Sequence, residues 1–364
     1  MRLAATNTIE TGSVLAKAIY NDKGQVLLHE GVELADKLIH KLQEMGITYV
    51  YIRDWRTEDI QYRDPLTAKM RTKAIETIES VLKEVEANKD LSGSLVIEKA
   101  SKRLSGLIRQ LIGEIRGNRE LLSILSDVYT YDHYIFTHSL NVTLYSLAIG
   151  MKLQLLPKEL EILGLGAILH DVGKMKVPAD ILLKPGKLTA EEFESIKKHP
   201  EDGFNILRKV ETIPLLVAHC AFQHHERLNG SGYPRGLEGD EIHDFGKIIA
   251  IADVFDAVTS NRIYRQAMLP HEGLEILYAG AEKLFDKRII EVFRQAVAVY
   301  PVGVTVELND GRKGVVCRQN TGLSDRPVIR VLEEKGRNVE PYEADLRIEL
   351  NSVIIGCDTT FVQQ

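Results

Sequence analysis

The feature that most limits how this chain can fold is a long central stretch of helical periodicity, from residue 119 to residue 300. Apolar residues recur there at the three- and four-residue spacing of one helix face. Histidine and aspartate interrupt the stretch repeatedly, and such residues are seldom buried unless they are paired or bind a ligand. We therefore expect a helical domain over 119–300 whose interior holds a polar site.

Two smaller patterns flank the helical stretch. Residues 1–60 read as a small α/β accessory module, and residues 301–364 as a small β-rich appendage. The predicted elements of the first module are the apolar segments 14–20 and 26–28, a helix over 34–45 and the strand 47–52. Those of the appendage are the β-like runs 304–308, 314–318 and 327–332. The predicted fold class is thus mainly α, an all-helical domain between two small modules.

Residues 61–118 are predicted to form a helical linker. Their best apolar stripe has helical spacing and consists of Leu104, Leu107, Ile108, Leu111, Ile112 and Ile115. Such a stripe either joins the core of the same chain or forms the seam of a homodimer through helices 67–118. The sequence leaves both alternatives open.

Composition excludes several classes of function. A length of 364 residues exceeds what one core usually holds, and 44% hydrophobic with 27% charged residues is typical of a globular protein. A net charge of -6 argues against binding a nucleic acid polymer. The three cysteines have no metal or disulfide spacing, and no apolar run reaches the length of a membrane span, so we expect a cytoplasmic protein.

The helical stretch contains residues whose side chains suit metal ions. Imidazole and carboxylate ligands are typical of Mn, Fe, Zn or Ni sites, and an aspartate next to a histidine can bridge two cations about 3.5–4 Å apart. A single histidine is more often a core or surface residue. The candidate metal ligands are His138, His170, Asp171, His199, His224, His225 and Asp253.

The sequence around these candidates resembles a known family. Residues 167–174, which read AILHDVGK, closely resemble the signature of the HD hydrolase superfamily. His224, His225 and Glu226 followed by residues 230–234, GSGYP, resemble the motif of its HD-GYP branch. Segments 182–189, 198–200 and 253–265 are also similar, so the resemblance spans residues 127–300.

The resemblance implies two divalent metal ions, Fe or Mn, held by the candidate ligands, with Asp171 as the bridge. His138 matches the early histidine of the family. Some members hold a third metal through a glutamate four residues earlier, where this chain has Tyr134, and the nearest acids are Asp132 and Asp127. A third metal is therefore not expected.

Further residues are expected to bind the substrate. Lys174 would contact the phosphate or protonate the leaving oxygen, whereas as a surface lysine it would have no role. Arg262 and Arg265 have the spacing to face one phosphate, although solvated arginines have the same spacing. Gly232, Tyr233 and Pro234 would form a preformed loop against a guanine or a partner protein, and Glu226 would orient a neighbouring histidine.

The family resemblance implies a bacterial phosphodiesterase in which a metal-activated hydroxide attacks phosphorus in cyclic-di-GMP. The first product would be pGpG, and a second cleavage would give GMP. Two alternatives stay open. The substrate could be another cyclic dinucleotide or a nucleotide, or the chain could bind cyclic-di-GMP without hydrolysis and relay it to signalling partners.

Overall fold

The computed structural model describes residues 1–20, 26–60, 66–87, 95–117, 134–182, 184, 186–260 and 268–357. The predicted mainly α class is confirmed, because long helices fill the chain between two sets of short strands. The helices are α1 Asp36–Glu44, α2 Ala68–Ala87, α3 Leu95–Gly117, α4 Tyr134–Lys152, α5 Pro157–Ile168, α6 Ala179–Leu182, α7 Ala190–Ile196, α8 His199–Leu207, α9 Leu215–Gln223, α10 Asp244–Thr259, α11 Pro270–Ala279 and α12 Lys287–Ala296.

The strands are β1 Arg2–Ala5, β2 Ile19–Tyr20, β3 Val26–Leu28, β4 Tyr49–Ile52, β5 Thr305–Leu308, β6 Arg312–Asn320, β7 Leu323–Glu334, β8 Arg337–Asp345 and β9 Ile354–Cys357. They form three antiparallel sheets in the order β1-β4, β2-β3 and β8-β7-β6-β5-β9. The predicted strand and β-like segments appear with shifted ends, whereas β1, β8 and β9 lie outside every predicted strand.

The helical core holds α4, α10 and α12 in fixed relation. Three aromatic rings, Tyr145 from α4, Phe255 from α10 and Phe293 from α12, contact one another edge to face with centroids 4.8–5.6 Å apart. All three side chains are almost completely buried. Edge-to-face aromatic packing of this kind adds to the stabilisation from burial. This packing places the polar residues of α4 and α10 at defined positions.

Helices α2 and α3 pack on the same core rather than standing apart from it. Leu104, Leu107, Ile108, Leu111 and Ile115 of the predicted stripe are buried in one cluster with residues of α4 and α5. The stripe is therefore core of this chain and gives no reason to expect a dimer seam. The predicted division of the chain into four parts stays a prediction.

The two ends of the chain share a second core. Leu3 of β1 and Tyr51 of β4 are buried in one cluster with Val304, Val306 and residues of the C-terminal sheet. The Tyr51 hydroxyl donates to the Val302 carbonyl at 3.1 Å. The first and last segments of the chain are thus packed together. Among the described residues, no helix is both long and apolar enough to cross a membrane.

Candidate metal centre

Three predicted ligands are oriented by backbone carbonyl groups at helix ends. His170 Nδ1 lies 2.7 Å from the carbonyl oxygen of Ala167, His199 Nδ1 2.6 Å from that of Ile196, and His224 Nδ1 2.8 Å from that of Ala221. The last carbonyls of a helix lack intrahelical partners, and a histidine three residues on can supply one. A carbonyl only accepts, so each Nδ1 carries the proton and each Nε2 presents a lone pair.

These lone pairs converge on Asp171. One carboxylate oxygen, Oδ1, lies 3.3 Å from His199 Nε2 and 3.7 Å from His224 Nε2. The other oxygen, Oδ2, lies 3.3 Å from His170 Nε2 and 3.7 Å from His138 Nε2. Two groups of possible metal ligands result, and they share Asp171. The carboxylate therefore has the placement of a bridge between two cations.

His138 enters the cluster from the interior of α4. Its Nε2 lies 3.1 Å from Asp253 Oδ1, and its Nδ1 lies 2.7 Å from Asp256 Oδ2. The other oxygen of Asp256 accepts from Asn141 Nδ2 at 2.9 Å and from Ser260 Oγ at 3.0 Å. Burial alone would lower the pKa of His138, yet Asp253 and Asp256 raise it to about 9. Asp256 fixes the ring of His138.

Asp256 was not among the predicted site residues. Its signal was present in the sequence, because Asp253 and Asp256 are three residues apart on α10 and therefore share a helix face. Glu226 was the residue predicted to orient a histidine. A carboxylate that receives the second nitrogen of a ligating histidine is a usual companion of such ligands.

The donor set fits divalent metal ions. His199 Nε2 and His224 Nε2 are 3.2 Å apart, and both present lone pairs. Within the described residues, buried His170 Nε2 and Asp171 Oδ1 have no hydrogen-bond partner. Burial lowers the pKa of His224 to about 4, so its Nε2 lone pair is free at neutral pH. Converging lone pairs and carboxylate oxygens are satisfied by cations with imidazole and carboxylate preferences.

The cluster is open to solvent on one side. The side chains of Lys174, His225 and Asp253 are 21%, 17% and 11% exposed, whereas those of His138 and His170 are buried. We call this side, formed by Lys174, His225 and Asp253, the opening. The Lys174 ammonium donates to Asp171 Oδ2. Lys174 belongs to a 3₁₀ helix over Val172–Lys176.

The loop after His225 lies beside the opening. The Tyr233 ring stacks on His225 with centroids 4.6 Å apart and an interplanar angle of 24°. A Cβ on Gly232 would lie 2.5 Å from the His225 carbonyl oxygen, so only glycine fits there. Pro234 follows Tyr233 through a cis peptide bond. Gly232, Tyr233 and Pro234 thus form a loop packed against a candidate ligand.

The role predicted for Glu226 differs from what the structure contains. Its two carboxylate oxygens accept from the backbone N–H groups of Arg235 and Leu237 at 2.8 and 3.0 Å. Neither of these two hydrogen bonds involves a histidine. The reason is geometric, because the tight loop turns two amide groups toward this buried carboxylate. Glu226 closes the loop that carries Tyr233.

Some predicted residues lie outside the described part of the chain. These are Arg262, Arg265, Asp127, Asp132 and the side chain of Tyr134.

Known proteins are similar to the part of the chain that holds this cluster. The family model described as HD domain matches residues 121–289. A cyclic di-GMP phosphodiesterase of Pseudomonas aeruginosa is 36% identical over 227 residues, which cover 62% of this chain and 55% of that protein. A cyclic di-GMP phosphodiesterase of Thermotoga maritima is 47% identical over 128 residues, 35% of each chain. A 3′3′-cGAMP-specific phosphodiesterase of Vibrio cholerae is 38% identical over 156 residues, 43% of this chain and 30% of that protein.

The helical fold, the paired His170 and Asp171 and the family match show that residues 121–289 are similar to HD domains. The order of the motifs, with GYP at residues 232–234 after His224 and His225, resembles that of the HD-GYP branch. The chain spans about half the length of the Pseudomonas relative and a smaller share of the other two.

Proposed function

We propose that the chain is a metal-dependent phosphodiesterase that hydrolyses cyclic-di-GMP to pGpG, with GMP as the product of a second cleavage. The observation that carries the proposal is the Asp171 carboxylate, whose two oxygens face two separate groups of histidines. Such a carboxylate suits a two-metal site, which is a common device for phosphoryl transfer. Relatives that match the central part of the chain are named cyclic di-GMP phosphodiesterases.

The residues that would hold the two ions are His170, Asp171, His199, His224, His225, Asp253 and His138. Fe or Mn is proposed, because both accept imidazole together with carboxylate. When bound, the ions would supply Lewis acidity toward the phosphate and lower the pKa of a coordinated water.

The protein's own groups would orient the phosphodiester and move a proton. Lys174 is the cation at the opening, and its contact with Asp171 keeps the ammonium beside the cluster. From there it can neutralise a phosphate oxygen and donate a proton to the departing 3′ oxygen. Arg262 and Arg265 stay predicted phosphate ligands, and Gly232, Tyr233 and Pro234 a predicted contact for a guanine.

A second substrate has a specific observation in its favour. Relatives of Vibrio cholerae with 36–39% identity are named 3′3′-cGAMP-specific phosphodiesterases. Hydrolysis of 3′3′-cGAMP is therefore the alternative function. A module that only binds the ligand would have no chemical need for a full set of converging donors, which makes a binder the weaker alternative. A homodimer and signalling partners stay predictions.

A nucleotide panel tests the proposal. Protein purified without oxygen and loaded with Fe²⁺ or Mn²⁺ is incubated with cyclic-di-GMP, 3′3′-cGAMP, cyclic-di-AMP and GTP, and the products are separated by chromatography. We expect conversion of cyclic-di-GMP to pGpG with the highest kcat/KM of the panel. A higher kcat/KM for 3′3′-cGAMP would favour the alternative substrate. No turnover of any cyclic dinucleotide would refute the proposal that the chain is a phosphodiesterase.

A further inference from the structure

A lysine and two aromatic rings lie next to the opening, and neither Lys197 nor Phe193 has a role in the proposed reaction so far. The Lys197 ammonium is 5.5 Å from the centre of the Tyr233 ring and 5.9 Å from that of the Phe193 ring. Both distances are within the range of attraction between a cation and an aromatic ring. Phe193 is 49% exposed, so the group faces solvent. We call Phe193, Lys197 and Tyr233 the lysine platform.

The lysine platform is joined directly to the metal centre. Tyr233 stacks on His225 at 4.6 Å and lies 6.5 Å from the His199 ring. Lys197 also precedes His199 by two residues at the end of α7. The ammonium therefore lies one aromatic ring away from two candidate ligands, which is within reach of a substrate larger than a single phosphodiester.

The contacts of Lys197 leave it able to receive a ligand. Its ammonium pairs with Glu194 Oε1 at 2.8 Å, and the Glu194 side chain is 65% exposed. Exposed ion pairs of this kind contribute little to stability, so a phosphate could replace Glu194 at small cost. Half-buried Arg227, by contrast, already donates to the backbone carbonyls of His224 and Glu226.

A cyclic dinucleotide needs a second cation. It contains two phosphodiesters, each with one negative charge, and only one of them can be cleaved at the cluster at a time. Lys174 is beside Asp171 and serves the phosphate that is cleaved. The other phosphate must lie outside the cluster, where Lys197 is held between two rings. A charge-assisted hydrogen bond to phosphate is a strong contact for an ammonium in this position.

We propose that Lys197 binds the phosphate of the cyclic dinucleotide that is not being cleaved, so that the lysine platform selects two-phosphate substrates over simple diesters. This proposal rests on the proposed function for the substrate class only. It does not depend on which bases the dinucleotide carries.

The test compares Lys197→Gln with Lys198→Gln in the metal-loaded full chain. Lys198 is the adjacent exposed lysine and provides the matched control. For each variant, kcat and KM are measured with cyclic-di-GMP, 3′3′-cGAMP and bis(p-nitrophenyl) phosphate, which has a single phosphodiester. We expect Lys197→Gln to raise KM for the cyclic dinucleotides about tenfold more than for the simple diester. Lys197→Arg should recover most of the affinity, and Lys198→Gln should change each KM less than about twofold.

Equal effects of Lys197→Gln on cyclic dinucleotides and on the simple diester would overturn the assignment, and so would equal effects of Lys197→Gln and Lys198→Gln. Preferential turnover of 3′3′-cGAMP would refute cyclic-di-GMP as the substrate, but a selective rise in KM for that dinucleotide would still support Lys197. The two proposals therefore fail separately.

Discussion

At the scale of single residues, the metal centre depends on which nitrogen of each histidine is free. Backbone carbonyls take Nδ1–H of His170, His199 and His224, and Nε2 is left to face Asp171. His138 obtains the same orientation from a carboxylate, that of Asp256. A carboxylate partner also makes the ring more basic and hence a better ligand.

Replacing Asp256 by asparagine should weaken metal binding without removing a ligand. An amide lacks the charge and one of the acceptor oxygens that His138, Asn141 and Ser260 now use. We expect the Kd for Mn²⁺ to rise about 10- to 100-fold, with helical circular dichroism retained. Titration of Mn²⁺ against a competing chelator measures this Kd. Asp240→Asn, at a fully exposed position, is the control, and an unchanged Kd in Asp256→Asn would remove Asp256 from the site.

The candidate ligands of this centre were predicted from their chemical type and motif, and contacts made through another residue were harder to predict. His170 and Asp171 were visible because they are adjacent and follow an apolar helix. Asp256 was not predicted, although its spacing from Asp253 places both on one face of α10. The contacts of Glu226 could not be foreseen, because they depend on the path of the loop over residues 230–237.

At the scale of elements, the site depends on a close approach between the 3₁₀ helix 172–176 and α8. A Cβ on Gly173 would lie 1.9 Å from the His199 carbonyl oxygen and 2.6 Å from Gly203 N. No side chain fits between these backbones. The glycine two residues after Asp171 is therefore what lets His199 come within reach of Asp171.

Gly173→Ala should accordingly lower both stability and metal affinity. We expect a loss of about 1–3 kcal/mol in the free energy of unfolding, the usual cost of overpacking. The matched control is Gly113→Ala in α3, where nothing lies within 4 Å of the added Cβ. Alanine favours an exposed helix over glycine, so the control should gain about 0.5–1 kcal/mol. Urea denaturation compares the two, and equal stability of both variants would contradict the close approach.

Strands were harder to predict than helices for physical reasons. Strand β1 pairs with β4, and its partner residues lie more than forty positions away, so nothing local marks it. Strand β8 contains Pro341 and many charged residues, which is typical of the edge strand that it forms. Helices gave a clear signal because their apolar period is local.

At the scale of the whole molecule, the two ends of the chain form one packed region. Arg330 of β7 donates to both carboxylate oxygens of Asp59. Close by, the buried Asp54 carboxylate pairs with Arg2 of β1 and with Arg56. Burial would raise the pKa of Asp54, but the hydrogen bonds and charge of Arg56 and Arg2 hold it below its ordinary value of 3.8.

This region should therefore lose stability in acid. Because the folded pKa is depressed, Asp54 contributes fully above its ordinary pKa, and the contribution is lost as the pH falls through the folded value. At pH 7 we expect Asp54→Asn to open residues 49–60 more easily by about 3 kcal/mol, since it removes the buried carboxylate charge that faces the guanidinium groups of Arg2 and Arg56. Hydrogen exchange by mass spectrometry measures the opening. Glu30→Gln, at an exposed pair, is the control.

The difference between wild type and Asp54→Asn should shrink as the pH falls below about 4, because the Asp54 carboxyl of the opened state is then protonated while the folded carboxyl, with its lowered pKa, still resists protonation. A difference that grows toward pH 3 would show that Asp54 does not have a depressed pKa.

The most direct test of the whole account is one preparation of wild type and Asp171→Asn, measured for metal content and for hydrolysis of cyclic-di-GMP. The account predicts about two metal ions per wild-type chain and formation of pGpG. It predicts a large loss of both metal and turnover in Asp171→Asn, with helical circular dichroism unchanged, because the bridging carboxylate serves both ions. Turnover by Asp171→Asn above about a tenth of wild type would contradict a two-metal centre bridged by Asp171.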